Sequence, residues 1–146
     1  MKEYTYLMIK PDGVRKGLTE EIVKRIKSKG MEIKLFDVRK LTKDILAEHY
    51  AHIADKPFYP ELEEFMLSDY VVPMIVYGEN AVQVMRDLMG PTKSSEAPAG
   101  TIRRDYGNKE LVAENIIHGS DSRENALIEI ERFFGLKLNH GENIKL

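Results

Sequence analysis

The chain has no cysteine, so disulfides, thiolate nucleophiles and cysteine-ligated zinc are all excluded. It also lacks a surplus of either charge. Its 22 Lys+Arg against 24 Asp+Glu leave a net charge of −2, which argues against a chain dedicated to nucleic acid or to acidic membranes. No apolar run approaches the length of a membrane span, and the start Met1-Lys2-Glu3-Tyr4-Thr5-Tyr6 lacks the apolar stretch of a secretory signal. The usual phosphate motifs are missing too: there is no G-x-x-x-x-G-K-[ST] and no G-x-G-x-x-G. There is no H-E-x-x-H, and Ser120 does not sit in a G-x-S-x-G elbow. Any phosphate handled by this chain must therefore meet scattered cationic side chains. At 146 residues, 42% apolar and 32% charged, the expectation is one domain over residues 1–146, in the cytoplasm.

What is present alternates strand and helix signals. Tyr4 to Lys10 reads as a strand stopped by Pro11-Asp12-Gly13. Thr19 reads as the N-cap of a helix that buries Ile22, Val23 and Ile26 and ends at Gly30. Met31 to Lys40 reads as a strand with Ile33, Leu35 and Val38 inward. Thr42 opens a helix carrying Ile45, Leu46 and Tyr50, and Pro60 starts a short helix through Met66. Val71 to Tyr77, nearly all apolar, suits a central strand. Asn80 caps a helix closed by Gly90, residues 91–115 read as a long loop, and Ile116-Ile117 is a brief strand. Asn125 to Phe134 is the last helix, with Asp121 and Glu124 as its capping box. This order predicts an α+β fold: a ferredoxin-like βαββαβ sandwich, its four-stranded antiparallel sheet covered by helices. An extra helix and a long loop precede the last strand, and loops of that length tend to be functional.

The run Asn115-Ile116-Ile117-His118-Gly119-Ser120-Asp121-Ser122 is the most informative part of the chain. It puts a histidine at the lip of a strand, beside a glycine and facing the anion-attracting start of a helix. Glu129 on that helix is placed to fix the ring, and histidine is a nucleophile suited to a phosphoryl group that is taken up and passed on. By position alone a lone histidine is more often structural. Lys10 and Arg86 would by default be solvated charges, and Tyr50 and Phe58 core or rim aromatics. His49 and His52 stand three apart on a helix, yet without a third ligand they read as surface histidines rather than a metal pair. His140 lies in a polar tail and is assigned no role.

Several blocks together resemble the nucleoside diphosphate kinase family. They are Asn115 to Ser122, Met8-Ile9-Lys10-Pro11-Asp12-Gly13-Val14, Glu48-His49-Tyr50, Lys56-Pro57-Phe58-Tyr59 and Gly100-Thr101-Ile102-Arg103. The resemblance implies transfer of the γ-phosphate of a nucleoside triphosphate to a nucleoside diphosphate, by a ping-pong route through phosphohistidine on His118. It implies that Glu129 and Ser120 orient the ring, and that Lys10, Tyr50, Arg86, Thr92 and Arg103 surround the phosphates. It further implies that Asn115 binds the ribose and that Phe58 and Val112 sandwich the base. Magnesium would come as Mg2+ on the nucleotide phosphates, with no protein cage. The partners implied are nucleoside triphosphates and diphosphates, ATP and GTP among them, with no obligate nucleic acid and no membrane, and a homo-oligomer, tetramer or hexamer. The resemblance implies broad base and sugar tolerance, and an apolar base clamp is consistent with poor discrimination among bases.

Arg104 and Ala99 depart from the family pattern, which commonly has glycine and proline there; a positive φ at Arg104 would strain that loop. A nucleic-acid module on the same scaffold, using Tyr4, Tyr6 and Phe36 as stacking aromatics, is the alternative from another class. A catalytically silent relative is a third, against which the intact set His118, Glu129, Lys10, Arg86 and Arg103 speaks.

Overall fold

The structure, a computed structural model, describes residues 1–146. In chain order the elements are β1 (Lys2–Ile9), α1 (Pro11–Arg15), α2 (Thr19–Ser28), β2 (Glu32–Phe36), α3 (Lys43–His49) and α4 (Tyr59–Met66). They continue with β3 (Val72–Glu79), α5 (Ala81–Met89), a 3-10 turn (Ser94–Glu96), α6 (Ile102–Tyr106), β4 (Ile117–Gly119) and α7 (Arg123–Phe134). The sheet runs β2-β3-β1-β4 with every neighbouring pair antiparallel, which is the expected ferredoxin-like order.

Strict alternation along β1 sets the two layers. Leu7 and Ile9 face one core with Ile22 and Ile26 of α2 and Met85 and Leu88 of α5. Tyr4, Tyr6 and Met8 face the other, with Leu46 of α3, Met66 of α4, and Ile130 and Phe133 of α7. Both faces of the central strands are therefore dry, as the apolar run in β3 requires. Tyr4 and Tyr6 are wholly buried, so they offer no stacking platform to an RNA base.

The structure corrects the sequence reading in several places. The second strand is shorter than predicted, and a register shift between Ile33 and Leu35 turns these residues to opposite cores. Val38 points outward, 54% exposed. Thr19 is the first helical residue of α2, not its cap: Leu18 holds that position without a side-chain bond. Asn80 does precede α5, but in the left-handed region, and the capping acceptor is Glu3 of β1, which takes the Val82 N–H at 3.0 Å. Ser122, rather than Asp121, caps α7 by accepting the Asn125 N–H. Thr42 caps α3 as expected. The segment 91–115 is not bare loop: it holds the 3-10 turn and α6, which Thr101 caps. Proline 11 starts the one-turn helix α1, which the reading as a simple stop missed. No helix is long and apolar enough to cross a membrane.

Candidate active site

The last strand starts late because of one residue. Ile116 has φ 77°, a left-handed conformation that a β-branched side chain rarely adopts. The Ile117 N–H donates to Asn115 O at 2.9 Å, closing a three-residue γ-turn around it. The segment after β1 holds this turn from both sides. The Lys10 N–H donates to Ile116 O at 2.8 Å, and Asp12 Oδ2 accepts the Ile116 N–H at 3.0 Å. Gly13 lets α1 lie this close, since a Cβ there would fall 2.7 Å from Ile9 Cγ2 and 3.0 Å from Ile116 O. A strained turn persists when its surroundings over-determine it, and such turns cluster at functional sites.

After the turn, His118 pairs with Met8 across the β1–β4 ladder. Its ring thus lies on the α7 side of the sheet, partly open, with 24% of the side chain exposed. Glu129 of α7 stands behind it, Oε1 to Nε2 at 3.0 Å, and the Ser120 hydroxyl donates to the same oxygen. Burial raises the carboxyl's affinity for a proton, but the hydrogen bond and charge of His118, the bond from Ser120 and the nearby His49 outweigh it. Glu129 therefore ionises more readily than an ordinary glutamate. An ionised acceptor at Nε2 keeps the proton there and leaves the Nδ1 lone pair available.

A cleft of about 770 Å³ opens over that ring. Lys10, Tyr50, Phe58, Arg86, Thr92, Arg103, Val112 and Asn115 line it together with His118. Ser120 and Glu129 sit behind the imidazole, outside the lining. All the residues marked in the sequence are thus brought to one place. Phe58 and Val112 are exposed large apolar side chains within this lining, 53% and 44% accessible.

Several cations are more tightly held than their types suggest. Lys10 is buried, and Nζ donates to Ala113 O at 2.5 Å and Asn115 Oδ1 at 2.9 Å. Burial lowers its pKa to about 8, with Arg103 adding to this and Asp12 opposing it. Arg103 is also buried and donates to three backbone carbonyls: Gly90 at 2.8 Å, Asn115 at 3.3 Å and Ile117 at 2.7 Å. Burial, and then Arg86, bring its pKa to about 10. Asn115 has both ends of its amide engaged, taking Lys10 and giving to Thr92 O at 3.0 Å. Burial, then Glu129, push the Tyr50 phenol up to about 12, so it stays a neutral donor. Arg86 is the outlying cation, its guanidinium 3.5 Å from Asp121 O. Arg104 adopts helical backbone in α6 rather than a positive φ, so the feared strain does not arise, and it donates to Ser95 O at the surface.

One site residue was misjudged from sequence. His49 is buried, not at the surface, with its ring centroid 4.8 Å from that of His118. The overlooked signal is its helical spacing, three after Leu46, which puts it on the inward face of α3. His49, His118 and Glu129 offer three ligand atoms within 4.8 Å of one another. However, Arg132 NH1 stands 2.9 Å from His49 Nδ1, and a fixed guanidinium there opposes a divalent ion. His140, left without a role, accepts the Tyr4 N–H at Nδ1 and faces Arg123 O through Nε2, tying the tail to β1.

An open imidazole with one nitrogen bound by a carboxylate, under a cleft lined by three cations, suits nucleophilic transfer of an anionic group. The sequence profile described as "Nucleoside diphosphate kinase" matches residues 3–138. The chain is 46% identical over 138 residues to a nucleoside diphosphate kinase of Exiguobacterium sibiricum, covering 94% of this chain and 99% of that one. It is 44% identical over 132 residues to one of Staphylothermus marinus, covering 90% and 92%. Among solved structures, that of the Encephalitozoon cuniculi nucleoside diphosphate kinase superposes with TM-score 0.87 at 37% identity, over 94% of this chain and 92% of that one. The halophilic enzyme of Halobacterium salinarum, solved with CDP, superposes with TM-score 0.86 at 40% identity, over 92% and 88%. With the fold, the profile and the relatives in agreement, this chain belongs to the nucleoside diphosphate kinase family of nucleotide phosphotransferases.

Proposed function

We propose that the chain moves the γ-phosphoryl group of a nucleoside triphosphate to a nucleoside diphosphate in two half-reactions through His118. The observation that carries this reading is the pairing of His118 Nε2 with Glu129 at 3.0 Å beneath an open, cation-lined cleft. In the first half-reaction the Nδ1 lone pair attacks the γ-phosphorus. The bond from phosphorus to the β–γ bridging oxygen breaks, and the diphosphate departs with that electron pair. The proton on Nε2 stays in place, its positive charge compensated by Glu129. The second half-reaction is the reverse, with the terminal oxygen of another diphosphate as nucleophile.

Lys10, Arg86 and Arg103 neutralise charge spreading over the transferred oxygens, and the neutral Tyr50 hydroxyl and Thr92 add donors. Asn115, pinned between Lys10 and Thr92, presents its remaining amide hydrogen toward the sugar. Phe58 and Val112 hold the base by its faces, which every base possesses, so tolerance among bases follows, and the same reading includes tolerance of the sugar. The only ligand trio in the fold is blocked by Arg132, and magnesium prefers oxygen donors and retained water. Mg2+ is therefore expected on the nucleotide phosphates, where it supplies further charge neutralisation. The same reading includes a homo-oligomer, tetramer or hexamer, which sedimentation velocity distinguishes.

Incubation with γ-labelled ATP and no acceptor should label the protein in an acid-labile, alkali-stable bond. His118→Ala should abolish the label, and persistence of the label in that variant overturns the reading.

A further inference from the structure

Behind the His118–Glu129 pair lies a second imidazole. The His49 ring meets that of His118 at 85° and is walled by Phe133, 5.2 Å away, and Tyr50, 4.8 Å away. Glu129 bridges the two rings unequally. Oε1 is bonded to His118, whereas Oε2 stands 3.9 Å from His49 Nδ1, beyond hydrogen-bond reach. That nitrogen faces Arg132 instead, whose NH1 lies 2.9 Å away. A guanidinium has donors only, so His49 Nδ1 must be the acceptor, and the ring is neutral with its proton on Nε2.

We propose that Arg132 is a positioning residue: by donating to His49 Nδ1 it fixes the proton of this ring on Nε2 and keeps it turned away from Glu129, reserving the carboxylate for His118. This rests on the reading of His118 as the phosphoryl acceptor. The groups facing His49 act on its charge from three elements. Glu129 of α7 favours a proton on the ring. Burial opposes it most, then His118 of β4, with Arg132 of α7 and His52 beyond the end of α3 adding to them, and together they hold its pKa at about 3. Glu48, beside it on α3, lies 3.6 Å from Arg132 Nε and steadies the guanidinium. Attack by His118 makes its own ring positive. A His49 carrying its proton on Nδ1, 3.9 Å from Oε2, would compete for the Glu129 charge that offsets it. Arg132 does not line the cleft, so its effect should reach the chemical step without touching nucleotide binding.

The test is the Arg132→Met variant, with Arg132→Lys as the conservative rescue. Two readouts are needed: the pH profile of His118 phosphorylation by ATP, and the tautomer of His49 by nitrogen-15 NMR. In Arg132→Met the acid limb should move to higher pH by about one unit, as expected when a like charge is removed from beside a titrating ring. The fall should be in kcat, with KM unchanged, and His49 should leave the Nε2–H tautomer, its proton moving to Nδ1 to face Glu129. Arg132→Lys should restore much of both. If either the acid limb or the His49 tautomer stays as in the parent protein, the proposal is overturned. If Arg132→Met does not fold, Arg132→Gln, polar but too short to reach His49, replaces it with the same outcomes. Failure of the parent protein to become phosphorylated would instead sink the reading of His118, with the His49 tautomer still measurable.

Discussion

Glu129 and His118 meet through a single oxygen: Oε1 takes both His118 Nε2, at 3.0 Å, and the Ser120 hydroxyl. The ring's orientation and tautomer thus depend on one buried atom. Glu129→Gln preserves size but lacks the charge that stabilises the imidazolium. Phosphorylation of His118 should slow by about 10²-fold or more, the range usual for a mispositioned acid–base group. Rapid-quench labelling with ATP measures this; a rate within threefold of the parent would mean that Glu129 is not the orienting group.

Lys10 should impose an alkaline limit on binding. Its pKa of about 8 lies below the unfolded value of 10.5, because burial disfavours its charge. Below pH 8 the ammonium is present to meet phosphates, and above it the charge is lost, so KM should climb from there upward with kcat less affected. The stability sign is opposite: between about 8 and 10.5 the unfolded chain binds more protons, and folding becomes more favourable as pH rises. Steady-state kinetics and thermal melts over pH 7–10 check both. Lys10→Met should flatten both slopes.

Arg103 should prove to be as much a scaffold as a phosphate ligand. It donates to the carbonyls of Gly90, Asn115 and Ile117, tying the end of α5 to the turn that opens β4. Arg103→Met removes this donor from the Gly90 and Ile117 carbonyls and leaves the Asn115 carbonyl only the Ile117 N–H, and should cost roughly 3 kcal/mol of stability. Urea denaturation gives the value. A variant as stable as the parent but inactive would assign Arg103 to phosphate binding alone.

Phe58 carries the opposite prediction. It is more than half exposed, 53%, at the rim of the cleft. Phe58→Ala should leave the melting temperature nearly unchanged, whereas stacking on a base contributes about 1–3 kcal/mol. KM should therefore rise roughly tenfold for ATP, GTP and CTP alike. A loss confined to one base would show that edges, not faces, are being read.

The layered fold was legible because β1 alternates Tyr4, Tyr6 and Met8 with Leu7 and Ile9, a pattern only a sheet buried on both faces accommodates. The cleft residues were legible because their blocks sit in short, well-marked segments. Three features lay beyond that reading, for physical reasons. The bulge after Ile33 depends on pairing with β3, which no local pattern records. The left-handed Ile116 runs against its own preference and is held by Lys10 and Asp12 across the fold. Burial of His49 depends on packing against α7, and a histidine's polarity disguised its place on the inward face of α3.

The clasp between Asp12 and Ile116 spans 104 positions of chain. During synthesis the lysine and aspartate emerge long before the turn that receives them. Until then the ammonium has no dry seat and the carboxylate no amide to accept. Both gain their partners only when the last strand zips beside the first, so this corner of the cleft is completed late.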